Sequence, residues 1–154
     1  FGLALPPAPL FVLHPGSGGL AKCWPAAHYA GLALAIRRRW GVLPVILVGP
    51  ADHEIARAVD AAMPANTVLL HVANRSLRVV LAILSLTTAF IGNDAGPSHL
   101  AARACPTLVL FGPSDPLAWQ PIGHHVTVLR AAGGSMAALP VAEVWPALIG
   151  LLGK

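Results

Sequence analysis

The chain has 154 residues, 56% of them hydrophobic and only 10% charged, a length that suits one domain with a sizeable core. Its longest uncharged apolar run, residues 79–92, carries Ser85, Thr87 and Thr88 and is shorter than the roughly 18 residues of a membrane-spanning helix. The net charge of +4 favours anionic partners, but no basic stripe interleaved with aromatic residues is present, which argues against nucleic acid.

The elements predicted along the chain alternate between short apolar runs, typical of buried strands, and segments with helical spacing. The predicted strands are residues 10–13, 45–48, 67–70, 89–91, 107–111 and 126–129. The predicted helices are residues 25–40, 53–63, 77–85, one that begins at Pro97, and 141–152. Gly41 is expected to cap the first helix and Ser76 the third.

This alternation predicts an α/β fold: a doubly wound, mostly parallel, Rossmann-like sheet of about six strands with helices on both faces. The expected strand order is 3-2-1-4-5-6, and ligands of such sheets bind beyond the carboxyl ends of the first and fourth strands. The loops that follow those strands, residues 14–24 and 93–97, are therefore predicted to converge. Strands covered on both faces account for much of the apolar excess. A surface that packs against a further domain would account for the rest.

The loop after the fourth predicted strand carries the strongest local signal, residues 92–102 (GNDAGPSHLAA). Pro97 suits the first position of a helix, and the free N–H groups of a helix start bind anions. Asp94 and His99 flank this turn and admit two interpretations. They are a base and its orienting group, or Asp94 caps the helix and His99 packs on its first turn.

The loop after the first predicted strand is rich in glycine. Residues 16–21 match the dinucleotide-binding pattern GxGxxA, but the helix start at Pro25 comes too late for that motif, which argues against NAD. The glycines still allow backbone N–H groups to approach a phosphate, and Lys22 adds an ammonium group. An isolated loop lysine can equally be only solvated. Ser17 is not a nucleophile elbow, because GxSxG is absent.

Other polar residues give weaker signals. Glu54 follows the second predicted strand, where an acid can bind ribose hydroxyls or simply favour the start of a helix, and Asp52 competes for that role. The histidines and the two cysteines, Cys23 and Cys105, lack metal-ligand spacing, so we assign no metal and expect a reducing cytosol. The arginines at 37–39 suit a helix end or, alternatively, an anionic membrane surface.

The first residues of the chain resemble no targeting signal. Residues 1–13 are apolar and proline-rich, without the charged start and cleavage site of a signal peptide. No Met begins the chain, so we expect a piece excised from a longer protein.

Three ordered motifs carry a family resemblance: residues 14–25 (HPGSGGLAKCWP), 93–102 (NDAGPSHLAA) and 110–116 (LFGPSDP). With the similar segment 48–58, they resemble the C-terminal half of the ADP-heptose:lipopolysaccharide heptosyltransferase family, glycosyltransferase family 9. The resemblance covers about residues 10–130. The chain departs from the family pattern at Ala95, where Ser or Thr is frequent, and at Cys23, where a basic residue is frequent. The family pattern often has a Gly shortly before the position of Cys105, and the segment of residues 103–105 is one residue shorter than that pattern.

The resemblance implies one half of a GT-B fold, in which two Rossmann-like domains face each other across a cleft. Residues 1–154 would form the single nucleotide-sugar-binding domain, with the N-terminal acceptor domain outside this chain. Lys22 would be the catalytic residue by pairing with the departing diphosphate, and Glu54 would bind the ribose or base. The remaining donor contacts would come from Ser17, Gly18, Asp94, Ala95, Gly96 and His99.

The implied activity is an inverting, metal-independent transfer of a sugar, expected to be heptose, from an ADP-sugar to a lipopolysaccharide core acceptor. No cofactor is expected, and the N-terminal domain would supply acceptor contacts and the catalytic base, so the isolated fragment would be inactive. A cytoplasmic location with peripheral contact to the inner membrane of a Gram-negative bacterium follows. The alternatives are a non-catalytic nucleotide-binding module or another GT-B enzyme, such as a sugar-nucleotide epimerase.

Overall fold

A six-stranded sheet with helices on both faces forms the part of the chain that the computed structural model describes, residues 8–153. The strands are β1 (Phe11–His14), β2 (Val45–Val48), β3 (Leu70–Ala73), β4 (Ala89–Asn93), β5 (Thr107–Phe111) and β6 (Val126–Arg130). The helices are α1 (Ala26–Trp40), α2 (His53–Ala62), α3 (Leu77–Ser85), α4 (Gly96–Ala104), α5 (Pro116–Trp119) and α6 (Val141–Leu152). The expectation about residues 1–13 lies largely outside the described residues.

The strand order is β3-β2-β1-β4-β5-β6, and every neighbouring pair is parallel, which confirms the predicted doubly wound α/β fold. β1 and β4 lie side by side at the centre, with His14 opposite Gly92. The loops that follow these two strands therefore leave the sheet at the same edge, as the sequence predicted.

Two apolar layers enclose the sheet. Side chains alternate along each strand, so Phe11 and Leu13 face the layer built with α1, α2 and α6, while Val12 faces the opposite layer. Phe90 of β4 joins Val12 in that second layer, which α3 and α4 cover. Burial on both sides explains why the central strands read as continuous apolar runs.

The helix ends agree closely with the predicted signals. Gly41 adopts a left-handed conformation with φ of 73°, and its N–H donates to Arg37 O at 2.8 Å, as expected for a helix C-cap. Ser76 caps α3, accepting from Val79 N at 3.5 Å. The start of α1 falls one residue after Pro25, which is its N-cap.

The third strand differs from its prediction. Residues 67–70 were expected to form it, but β3 spans Leu70–Ala73 and begins where Leu70 lies opposite Val45. The N–H of Thr67 donates to Pro64 O, so the apolar residues before Leu70 belong to a turn and the approach to the strand. Pairing with β2, rather than the local apolar run, determines where the strand begins.

Exposed apolar side chains cluster partly at the carboxyl edge of the sheet. Leu20 lies in the loop after β1, and Leu117, Trp119 and Ile122 lie in the segment after β5. We call these four residues the exposed rim. A second domain facing the site would contact them, so the expected interdomain surface stays a prediction that now names these residues. Within residues 8–153, no helix combines the length and apolarity needed to cross a bilayer.

The left-handed cap of α1 gives a stability prediction. Gly41→Ala should lower the free energy of unfolding by about 1–2 kcal/mol, because a Cβ is strained at positive φ. Urea denaturation measures this loss. The matched control is Gly150→Ala inside α6, where a Cβ meets open space; it should stabilise the chain by about 0.5–1 kcal/mol. Equal effects of the two changes would contradict the argument.

Candidate functional site

The loops after β1 and β4 meet at the carboxyl edge of the sheet. Ser17 Oγ donates to the backbone oxygen of Asp94 at 2.9 Å, and Lys22 Nζ lies 2.9 Å from Asp94 Oδ2. The Lys22 side chain is 39% exposed, whereas that of Asp94 is 8% exposed. A buried carboxylate thus holds a partly exposed ammonium at the mouth of the site.

Asn93, at the end of β4, holds the two loops together although the sequence analysis assigned it no role. Its Oδ1 accepts from Trp24 N and Tyr29 Oη, each at 3.1 Å. Its Nδ2 donates to Pro15 O at 2.9 Å and to Gly16 O at 3.1 Å. Both lone pairs and both protons of this fully buried amide are therefore used. A polar residue ending a buried strand was the only sequence signal for this role.

The start of α4 is open to an anion. Its N-cap is Ala95, no side chain caps it, and its first turn carries no acidic residue. Ser98 Oγ turns back to donate to Asn93 O at 2.6 Å, while Gly96 and His99 are exposed. Backbone N–H groups and the positive end of the helix dipole therefore face the space beside Lys22.

The interpretation of Asp94 as a cap of α4 is not supported, because its carboxylate pairs with Lys22 instead. An ammonium has three donors, and Asp94 accepts from one of them. Lys22 therefore stays able to bind a second anion while Asp94 fixes its direction.

A second buried pair joins the loops after β1 and β2. His14 Nε2 lies 3.0 Å from Asp52 Oδ2, and the same oxygen accepts from Gly49 N at 2.9 Å. Asp52 also fills the space beside Gly16, where a Cβ would come within 2.0 Å of its Oδ1. The sequence analysis had named Asp52 only as a competitor of Glu54, and the partnership with His14 was missed.

The His14 hydrogen bond is the main cause that lowers the pKa of Asp52 below its usual value. Burial acts in the opposite direction, while the charge of His14 and the N–H of Gly49 add to the lowering. The pair therefore favours an ionised carboxylate directly beneath the loop that carries Ser17.

Glu54 is exposed on the first turn of α2 and lines a cavity of about 190 Å³, here called the Glu54 cavity. Its other lining residues are Gly16, Ser17, Leu20, Cys23, Ala51, Asp52, Ile55 and Ala58. Glu54 and Ser17 thus share one cavity, although neither of the two interpretations of Glu54 is decided by this.

A second cavity of about 280 Å³ lies on the other side of the loop after β2. Its walls are mainly apolar and come from β2, β3, α3 and α4, with Asn74 and Arg75 at its polar end. The sequence analysis identified none of this cavity, because its walls come from segments far apart in the chain.

The cysteines of the described residues are both free thiols. Burial raises the pKa of the Cys105 thiol to about 11, and burial together with the charge of Asp52 raises that of Cys23. Within residues 8–153, no three His, Cys, Asp or Glu side chains are grouped so that they would hold a metal ion.

The fold and these loops define a Rossmann-like domain whose carboxyl edge carries the Lys22–Asp94 pair beside the uncapped start of α4. A model of glycosyltransferase family 9 (heptosyltransferase) matches residues 4–142, so the chain belongs to this family. The chain is 33% identical over 132 residues to lipopolysaccharide heptosyltransferase 2 of Salmonella typhimurium, covering 82% of the chain and 37% of that relative.

Two further similarities agree with this assignment. Lipooligosaccharide heptosyltransferase 2 of Haemophilus influenzae is 30% identical over 135 residues, covering 83% of the chain and 38% of that protein. The solved structure of E. coli ADP-heptose LPS heptosyltransferase II matches with a TM-score of 0.86 at 28% identity, covering 97% of the chain and 48% of that structure. The chain thus spans less than half the length of these relatives.

The Asp52–His14 pair gives a pH prediction. Because the pKa of Asp52 is lowered by folding, its stabilising effect is complete above the unfolded value of about 3.9 and is lost as the pH falls through the lower folded value. Asp52→Asn should lower the free energy of unfolding at pH 7 by about 1–3 kcal/mol. It should also flatten the fall in stability below about pH 4. Urea denaturation at a series of pH values measures both.

Asp115→Asn is the matched control, because Asp115 is an exposed cap of α5 and Asn is an equally good cap. Its acid profile should follow that of the wild type. An Asp52→Asn profile parallel to the wild type below about pH 4 would contradict the assigned stabilising role.

Proposed function

We propose that the chain is the donor-binding half of a glycosyltransferase that moves heptose from an ADP-sugar to a lipopolysaccharide core acceptor. Family membership supports this, as do the names of the relatives, including a solved ADP-heptose LPS heptosyltransferase II. The observation that carries it is the Lys22–Asp94 pair beside the uncapped start of α4. A directed cation next to free N–H groups suits a diphosphate.

In this proposal Lys22 binds the diphosphate of the donor, and Ser17 and Gly18 approach it from the loop after β1. Ala95 and Gly96 offer backbone N–H groups from the opposite loop, and the exposed His99 reaches the same space from the first turn of α4. Together these groups surround one anion from two sides.

Asp94 has a supporting role in the proposal. Its carboxylate fixes Lys22, and its backbone oxygen accepts the hydroxyl proton of Ser17, so Asp94 aligns the Lys22 side chain and holds the loop whose backbone N–H groups approach the diphosphate. Glu54 accepts hydrogen bonds from the ribose hydroxyls within the Glu54 cavity, which Ser17 also lines. The two loops and α2 would then bind successive parts of one nucleotide.

The proposed chemistry is a single displacement with inversion. The acceptor hydroxyl oxygen attacks the anomeric carbon on the side opposite the diphosphate, so that the bond to the acceptor forms while the bond to the phosphate oxygen breaks. The hydroxyl proton passes to a base on the N-terminal domain. Lys22 and the N–H groups stabilise the negative charge that builds on the departing ADP, without a metal ion.

The proposed setting follows from the acceptor. Residues 1–154 would be the C-terminal domain of a two-domain protein in the cytoplasm, touching the inner membrane peripherally where the acceptor lies. The exposed rim of Leu20, Leu117, Trp119 and Ile122 would face the N-terminal domain.

The first test is donor binding. We expect calorimetry to detect weak binding of ADP to the isolated chain in a sample that circular dichroism shows to be folded, and no sugar transfer. In the longer protein, a screen of ADP-, UDP-, GDP- and CDP-sugars should give transfer with the ADP-sugar. A folded chain that fails to bind ADP would overturn the proposal.

The second test addresses Lys22. Lys22→Ala should weaken ADP binding by about tenfold to a hundredfold, the value of a charge-assisted contact, while adenosine binding changes little. Arg57→Ala is the control, because Arg57 is exposed on α2 outside the Glu54 cavity. Equal losses for ADP and adenosine would refute the assigned role of Lys22.

A further inference from the structure

Helix α3 is apolar on sides that the fold leaves uncovered. Of its nine residues only Leu84 is buried. Val79 and Leu81 are 43% and 38% exposed, and Leu86 at its C-terminal end is 76% exposed. A helix on the surface of a domain normally turns polar residues outward, so these side chains are expected to meet something less polar than water.

The edge strand β3 extends this surface. Val72 lines the second cavity together with α3 residues, so it points to the α3 side of the sheet. Leu70 has the same parity in the strand and therefore points to the same side, where it is 67% exposed. At 3.6 residues per turn, Val79 and Leu86 share one flank of α3 and Leu81 lies on the other flank, with Arg78 on the outward side between them. We call Leu70, Val79, Leu81 and Leu86, which border this outward side, the α3 face.

The charged side chains around the α3 face are all basic. Arg75 precedes α3 and Arg78 lies on it. Arg103 lies further away on α4, which packs against α3, and it also lines a cavity with His124 and His125; all three arginines are exposed. From residue 61 to residue 114 the only acid is Asp94, which pairs with Lys22. Within the described part of the chain, none of the three arginines forms a salt bridge.

We propose that the α3 face docks on a membrane surface of anionic phospholipid, an inference that rests on the proposed function through its membrane-borne acceptor. The leucines and valine enter the boundary between headgroups and acyl chains, and the arginines, Arg78 among them on the outward side of α3, bind lipid phosphates. A single short helix makes the association weak and reversible, and each arginine near the surface strengthens it about fivefold.

The direction of α3 gives this docking a consequence for the site. The helix connects the carboxyl end of β3 to the amino end of β4, so it runs alongside the strands and its first residues lie at the carboxyl edge. A membrane against the α3 face therefore lies beside that edge. The site would open next to the bilayer that holds the acceptor.

The arginine cluster at residues 37–39 is the rival surface. It lies at the end of α1, in the layer on the other side of the sheet, where Arg39 stacks on Trp40 at 5.5 Å. No large apolar side chain of α1 is among those exposed in the described residues. Its apolar neighbours on α6, Val141 and Trp145, are only half-exposed where they line a cavity with Arg38 and Arg39, whereas the leucines of the α3 face are exposed.

The test is co-sedimentation of the longer protein with vesicles of phosphatidylethanolamine and phosphatidylglycerol, compared with vesicles of phosphatidylcholine. We expect binding to the anionic vesicles that weakens with salt. Arg78→Gln should lower the partition coefficient about fivefold, and Leu81→Gln combined with Leu86→Gln about tenfold or more. The matched controls, Arg38→Gln and Ile149→Gln on the opposite side of the sheet, should change it less than twofold, about the error of the measurement.

Three outcomes would overturn the proposal: unchanged vesicle binding in the α3 variants, an equal loss in the controls, or an α3 face occupied by a second copy. Analytical ultracentrifugation detects the last, as a dimer that Leu81→Gln and Leu86→Gln convert to a monomer without affecting vesicle binding. ADP calorimetry on the same variants separates this proposal from the proposed function, because donor binding should be retained when docking is lost.

Discussion

The geometry of the site depends on one buried amide, that of Asn93. It uses all four of its hydrogen-bonding positions to join the end of β4 to the loop after β1 and to the start of α1. Loss of this amide would leave Trp24 N buried without a partner, at a cost of about 1–3 kcal/mol, whereas the Tyr29 hydroxyl would keep its hydrogen bond to His14 O. The position of Lys22 relative to α4 is therefore fixed by the folding of the core.

The loop after β1 is also held from its other side, by the carboxylate of Asp52. The backbone oxygen of Gly16 accepts from the Asn93 amide, and the Cα of Gly16 lies against Asp52, which would collide with any Cβ there. Asp52 in turn is fixed by His14 and Gly49. Because glycine alone fits between these two anchors, the folded core holds the start of the loop in place before any ligand arrives. A preformed loop spends little conformational entropy on binding, which favours affinity for a small anion.

Most of the fold could be predicted because the sequence signals for its strands and helix ends are local. The central strands are apolar runs, which pairing with the neighbouring strands extends. Gly41 ends α1 through its left-handed conformation, and Ser76 begins α3 through its side-chain cap. The third strand was misplaced because its start depends on register with Val45, which no local pattern carries. The residues of the site also divide into those with a local sequence signal and those whose partners are distant in the chain. Asp94 stood out within a motif, whereas the partners of Asn93 lie up to 78 residues away and are visible only once the chain is folded.

The acids at the carboxyl edge explain why this chain would be half of an active site. Asp52 is engaged by His14, and Asp94 by Lys22, so each has a structural partner that a proton acceptor would have to release. Asp115 accepts from the N–H of Leu117 at the start of α5. Among residues 8–153, Glu54 is the acid at this edge that forms no ion pair or hydrogen bond, and it lines the cavity beside Ser17, where the proposed function assigns it to the ribose of the donor. In the proposed reaction the base for the acceptor would then come from the opposite side of a cleft, and the carboxyl edge of this chain would be the side that receives the leaving group.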